Sequence, residues 1–244
     1  MRRPPPDTPV LSVVELRMKA FFADLGIMEY GKAHALQLDL VEKRRTGELA
    51  ADIFLLTEHP AVFTLGRRGG RENLTVPEAF LRRKGVALLP VERGGNITYH
   101  GPGQLVVYPI IRLKTAGLTV TDYVCRLEEV MIRLSADYGV EAVRDARNRG
   151  VWTGGRKLGS VGIALRHGVA FHGLAVNVNP SLEAFSWIHP CGLMDVRVTS
   201  LARELQRDLP MEEVKERLEG HLAQVFRRDF STMDRETGIS ERDD

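Results

Sequence analysis

The 244-residue sequence predicts one α/β (α+β) domain, a mixed β-sheet with helices packed on it. Three observations predict it. Helical stripes and short β-branched runs intermix without the regular strand-helix-strand rhythm of a doubly wound parallel sheet. The hydrophobic share, 43%, supplies a core for a chain that buries about 70 to 75% of its unfolded surface without disulfides or metals. Neither a long linker nor an internal repeat divides the chain.

In order along the chain, residues 1–9 are proline-rich and read as a loose tail. From Tyr30 to Lys43, Ala33, Leu36, Leu40 and Val41 share a helical stripe, with Gly47 as its stop. "DIFLLTEHP", closed by Pro60, and "AVFTLG" read as successive strands. Glu78 to Lys84 reads as a short helix, and "VALLPVERGG" and "QLVVYPIIRL" as strands around a glycine-rich loop. Val124, Leu127, Met131 and Leu134 mark a helix from Val120 to near Gly139. "KLGSVGIALRHG" and "VAFHGLAVNV" read as a hairpin turning at His167 and Gly168. Val214, Leu218, Leu222 and Phe226 line one face of a last helix from Met211 to Phe230, and residues 231–244 form a polar tail.

Composition excludes several functions. Lys plus Arg at 34 against Asp plus Glu at 32 leaves a net charge of +2, too little for a protein that coats nucleic acid. Cys125 and Cys191 build no disulfide framework and lack the spacing of a zinc or redox pair, which suits a reducing cytosol. Met1 to Pro9 has no apolar signal core, and no run approaches the roughly 20 apolar residues of a membrane span. The expectation is a cytoplasmic protein with neither nucleic-acid nor membrane partners.

The densest unusual segment is "RGGNITYHGPGQ", Arg93 to Gln104. Its four glycines let a ligand approach the main chain, and its Arg, Tyr and His add charge, a flat face and a proton donor; the plainer reading is a polar connection. "GPGQLV" lacks the third glycine of a dinucleotide fingerprint, and "GGRKLGS" has the wrong order for a phosphate loop, so no nucleotide cofactor is expected. In "HPCGL", Pro190 and Gly192 place Cys191 on a sharp loop, a candidate nucleophile or a structural thiol. Lys157 opens "KLGSVGIAL", where an ammonium with little solvation would stabilise a thiolate, or, neutral, accept a thiol proton; the plain alternative is a solvated strand end. Cys125, on an amphipathic helix, reads as core or near-core. His100, His172 and His189 fall in the suspicious segments, while His34, His59, His167 and His221 read as surface or packing residues. A zinc site from Cys191 and His189 lacks ligand spacing, so no metal is expected. The arginines of "GRRGGR" (66–71) and "LRRK" (81–84) form either a solvated face or a guide for an acidic protein partner.

Together, "RGGNITYHGPGQLVVYPI", "GVWTGGRKLGSVGIAL", "HGLAVNV" and "PCGLMDVRVTSL", four blocks in register over roughly residues 25 to 228, closely resemble the lipoyl(octanoyl) transferase family. The resemblance implies a single domain of the biotin/lipoate protein ligase catalytic type, spanning residues 10–230. It implies transfer of an octanoyl or lipoyl group from acyl carrier protein to a lysine on lipoyl domains of 2-oxoacid dehydrogenases and on the glycine-cleavage H protein. By position it implies that Cys191 carries the acyl thioester and that Lys157 tunes its thiol. It also implies that the loop Arg93, Gly94, Gly95, Asn96, Ile97, Thr98, Tyr99 and His100 lines an acyl pocket. The strand positions Ser160, Val161 and Gly162, and Gly173, Leu174 and Ala175, complete that lining. Asn96 stands where the family more often has an acidic residue, and His189 where an apolar or amide residue is common.

Thioester exchange is nearly isoenergetic and thioester-to-amide transfer is downhill, so the chemistry needs no cofactor, in keeping with the missing nucleotide motifs. Lys157 and His100 are both candidates to deprotonate the acceptor amine. An octanoyl chain has six methylenes, worth about 5 kcal/mol when buried among residues such as Val161, Ile163 and Leu174. The alternatives are an ATP-dependent lipoate or biotin ligase of the same fold and a noncatalytic adaptor for acyl carrier protein.

Overall fold

The computed structural model describes residues 17–189 and 196–232. Among them an eight-stranded mixed sheet carries the fold: β1 (Met18–Ile27), β2 (Asp52–Glu58), β6 (Gln104–Arg112), β7 (Val143–Arg144), β8 (Gly150–Thr153), β9 (Arg156–Arg166), β10 (Val169–Asn177) and β11 (Arg228–Thr232), in the order β11-β1-β2-β6-β10-β9-β8-β7. β1 pairs in parallel with β2 and β11, while the other neighbours are antiparallel. A smaller sheet joins β3 (Val62–Leu65) to β4 (Ala87–Pro90) in parallel and to β5 (Ile97–His100) antiparallel.

Each face of the large sheet is covered, so its central strands are apolar throughout. On one face α3 (Val120–Asp137) and α5 (Met211–Phe226) bury Leu127, Met131, Leu134, Leu218 and Leu222 against Leu105, Val107 and Leu174. On the other, α1 (Tyr30–Thr46) packs Ala33, Leu40 and Val41 over Ile53, Leu55, Val106 and Phe171. A third cluster, around Phe63, Leu81, Ile97, Tyr99 and Phe185, lies under the small sheet, which is flanked by α2 (Glu78–Arg83). No described helix is long and apolar enough to cross a membrane.

Local chemistry fixes the boundaries. Gly47, at φ 85°, ends α1 by returning its N–H to Lys43 O. At the start of α3, Thr119 and Asp122 exchange side-chain and backbone hydrogen bonds in a capping box. His167 and Gly168, both at positive φ, make the two-residue turn that the twist of a β9–β10 hairpin favours, with Arg166 opposite Val169.

Two expectations are corrected. The last helix ends at Phe226 because Arg227 is left-handed, and the chain then pairs with β1 as β11. Ser231 and Thr232 are thus strand rather than tail. β1 itself, the α4 turn (Leu201–Leu205) and the short β7 and β8 were not foreseen.

Candidate active site

The glycine-rich loop crosses the mouth between the two sheets. Gly66, Arg67 and Arg68 donate their N–H groups to the carbonyls of Asn96, Arg93 and Gly95, and Gly94 donates to Ile163 O at 2.8 Å. Two zones of main chain this close tolerate no side chain at Gly66, whose Cβ would meet the Gly95 carbonyl. Arg93 is buried, with Nη2 donating to Thr64 O and Oγ1 at 2.7 Å each and Nη1 to Gly94 O at 3.0 Å. Its charge clamps the loop to β3.

Behind the loop is a cavity that opens at its mouth. The loop lines it with Arg93 to Thr98 and His100, β9 with Lys157 and Ser160 to Gly162, and β10 with Gly173 to Ala175. Tyr99 is the exception among these candidates. Its neighbours on β5 alternate across the strand, so its ring turns away and packs against Phe63 and Phe185 with centroids 5.2 and 5.3 Å apart. The cavity also takes in Tyr30, Val106, Tyr108, Asn148 and His172. Sequence reasoning missed the first four: Tyr30 and Asn148 lie in segments with no local motif, and Val106 and Tyr108, although inside the recognised block on β6, read only as apolar strand residues.

Lys157 is 3% exposed. Its Nζ donates to Asn148 Oδ1 at 2.6 Å and sits 5.4 Å from the Trp152 ring centroid. An ammonium held this way is largely stripped of water but kept in place by a charge-assisted bond and an aromatic face. Asn148 is in turn anchored by Trp152 Nε1, which donates to its carbonyl at 3.3 Å, and by buried Glu128, which accepts from Gly150 N at 3.0 Å. Lys157 also pairs through its backbone with the segment that follows the cysteine block: its N–H goes to Arg197 O at 2.8 Å, and Thr199 N donates to its carbonyl at 2.9 Å. On the preceding side, His189 N donates to Asn73 O at 2.7 Å. Cys191 itself lies outside the described residues. Cys125 is half-buried on α3, on the opposite side of the sheet from α1.

A cluster of imidazoles and phenols closes the far side. Gln104 Nε2 donates to Asn177 Oδ1 at 2.9 Å, so its Oε1 accepts from His100 Nδ1 at 2.7 Å. Burial, then the nearby His59 and Arg93, pushes the His100 pKa down to about 3, so its ring is neutral and a weak base at neutral pH. His59, expected as surface or packing, is fully buried: Nδ1 donates to Met28 O and Nε2 accepts from the Tyr108 hydroxyl, both at 2.7 Å. His172 has φ 53°, which takes it out of the strand alternation. Alternation would point it toward α3 with Ala170 and Leu174; it stacks instead on Phe171 and on His34 of α1, at 4.8 and 5.4 Å. Burial, then His34 and Arg93, lowers its pKa to about 3.

This fold and site define an enzyme class. The profile of the lipoyl protein ligase A/B catalytic domain matches residues 29–223, and the chain belongs to that family. More particularly, it is 53% identical to an octanoyltransferase from Desulfotalea psychrophila, over 88% of this chain and 97% of that protein. It is 45% identical to an octanoyltransferase from Syntrophobacter fumaroxidans, over 87% and 92%. Among solved structures, a lipoate-protein ligase A bound with ATP aligns with TM-score 0.71 over 89% of this chain and 90% of the other, at 17% identity. A bipartite lipoate protein ligase from Thermoplasma acidophilum aligns with TM-score 0.69 over 89% and 88%, at 18% identity. These two likenesses establish the fold.

Proposed function

We propose that the protein is an octanoyltransferase that moves an octanoyl group from the thioester of acyl carrier protein to a lysine of lipoyl domains, through a thioester on Cys191. The observation that carries this reading is Lys157, a buried amine at the wall of the cavity, in a chain 53% identical to an octanoyltransferase.

The steps follow from the groups present. With the Lys157 ammonium stabilising the thiolate, Cys191 Sγ attacks the donor carbonyl carbon; the donor's carbon–sulfur bond breaks, and the departing thiolate takes its proton from Lys157, leaving that amine neutral for the second step. The acceptor lysine then attacks the same carbon, the Cys191 carbon–sulfur bond breaks, and an amide forms. Main-chain amides near Cys191 or of the glycine-rich loop stabilise the oxyanion; within the loop, Gly94 N–H is already committed to Ile163 O. Lys157 is the better candidate to take the proton of the acceptor amine, because His100, with a pKa of about 3, cannot hold one. The alkyl chain packs on Val161 and Leu174.

The exposed arginines Arg67, Arg68, Arg82 and Arg83 suit an acidic donor protein. Cysteine usage supports a reducing cytoplasm as the setting.

The test is intact mass after incubation with octanoyl-acyl carrier protein. The expected result is a single hydroxylamine-labile octanoyl adduct, lost in Cys191→Ala and retained in Cys125→Ala. Acyl transfer at the wild-type rate by Cys191→Ala would overturn the reading, and turnover of free octanoate that requires ATP would favour a ligase.

A further inference from the structure

Three donor atoms from distant parts of the chain converge beside the cavity: His34 Nε2 on α1, Glu92 Oε2 at the start of the glycine-rich loop, and His172 Nε2 on β10. All lie within 4.8 Å of one another. His34 is 2.8 Å and His172 3.7 Å from the carboxylate oxygen. Each of the three atoms is shielded from solvent, yet none completes an aligned hydrogen bond among the described residues. His34 and Glu92 face each other at ion-pair distance, whereas His172 Nε2, on a residue 1% exposed, has no partner that close; buried polar atoms are almost always satisfied, so a nitrogen aimed at this pair calls for a ligand between them.

The surrounding structure holds this arrangement in place. His172 is 1% exposed and adopts a left-handed backbone conformation that a non-glycine residue rarely takes, while buried Gln37 accepts its N–H through Oε1 at 2.8 Å. Its Nδ1 faces Tyr30 Oη at 3.4 Å, and donation to that oxygen leaves Nε2 as a lone pair.

We propose that His34, Glu92 and His172 form a binding site for a divalent transition cation of the zinc class. Two neutral imidazoles and one carboxylate are a donor set suited to such ions. Bonds of about 2.1 Å in tetrahedral geometry put donors about 3.4 Å apart. The His34–Glu92 pair must therefore open slightly and the His172–Glu92 pair close slightly. Glu92 and His34 have the freedom to do so, being 42% and 22% exposed at their side chains. The nearby cation, Arg93, opposes metal charge, but its guanidinium is turned into Thr64 and the Gly94 carbonyl. A bound ion would tie α1, the glycine-rich loop and β10 together at the cavity wall. The remaining coordination position is for water or a substrate oxygen. The site does not depend on the acyl-transfer reading, because its readout is metal binding.

The test is Co2+ and Zn2+ titration of the chelator-treated full-length protein near pH 7.5, where imidazoles are neutral, by calorimetry and visible absorption. The expected result is one equivalent bound, with a cobalt spectrum lacking a thiolate charge-transfer band. His34→Ala and Glu92→Gln should each weaken binding at least tenfold, while His221→Ala, paired with Asp137 on the α3–α5 side, should not. Absence of saturable stoichiometric binding, equal affinity in both site variants, or a thiolate band abolished by Cys191→Ala would each overturn the proposal.

Discussion

Lys157 illustrates how much an acceptor atom governs in a dry site. An ammonium that has lost water is held by whatever oxygen the protein supplies, and Asn148 Oδ1 supplies one at 2.6 Å. Hydrogen bonds to charged groups are worth about 1.5–3 kcal/mol, so Asn148→Ala should slow formation of the acyl adduct roughly 10- to 100-fold. Asn148 belongs to no regular element, so thermal stability should change little. Rapid-quench acylation beside a melting curve checks both. Asn148 acts through Lys157 and is a positioning residue; the pH–rate profile of the variant should therefore move, as a purely structural defect would not make it do. From sequence, Lys157 was legible because its block has recognisable order, but its partner was not. The stretch Asp145 to Arg149 has neither periodicity nor motif, and only the fold of β8 and Glu128 brings Asn148 over the lysine.

At the level of elements, α1 is anchored at both ends. Its first turns bring Tyr30, His34 and Gln37 to the cavity side, and near its end Arg44 donates to Asp52 Oδ1 at 2.6 Å. Arg228 of β11 closes on the other carboxylate oxygen at 2.7 Å, so one buried aspartate joins α1, β2 and the last strand. Removing it strands two guanidinium groups out of water. Asp52→Asn should cost about 3–5 kcal/mol, measured by urea denaturation. Strong periodicity made α3 and most of α5 readable from sequence, while α1 was legible from a short apolar stripe with Gly47 as its stop and the β9–β10 hairpin from its turn at His167 and Gly168. β1 and β11 were not, because Met18 to Ile27 includes polar Lys19 and Asp24, and Arg228 to Thr232 looks like a helix continuing into a tail. Their pairing is set by long-range contact, which no local window contains.

Across the whole molecule, acidity acts on the buried imidazoles. His100 and His172 have folded pKa values of about 3 against an ordinary value of 6.5. The unfolded chain therefore takes up protons that the folded one refuses. Their contribution to stability is complete above pH 6.5 and is lost as pH falls from there toward about 3. Each histidine contributes a slope of up to about 1.4 kcal/mol per pH unit, so between pH 6.5 and about 5 the two should remove about 3 kcal/mol. Denaturant unfolding at the two pH values checks this, and His100→Gln should show about half the loss. The imidazole cluster was the least legible part of the site. His34, Glu92 and His172 are remote in sequence, and the backbone turn at His172 breaks the very alternation by which strand faces are read.

The bare backbone at Gly173 limits how such an enzyme could be retuned. A side chain there would strike the Val107 carbonyl and force apart β10 and β6, the middle of the sheet. Redesign for shorter or longer fatty chains must therefore start from neighbours that already carry side chains, such as Val161, Leu174 or Ala175. The wall of the cavity at Gly173 is set by the same hydrogen-bond ladder that keeps the protein folded.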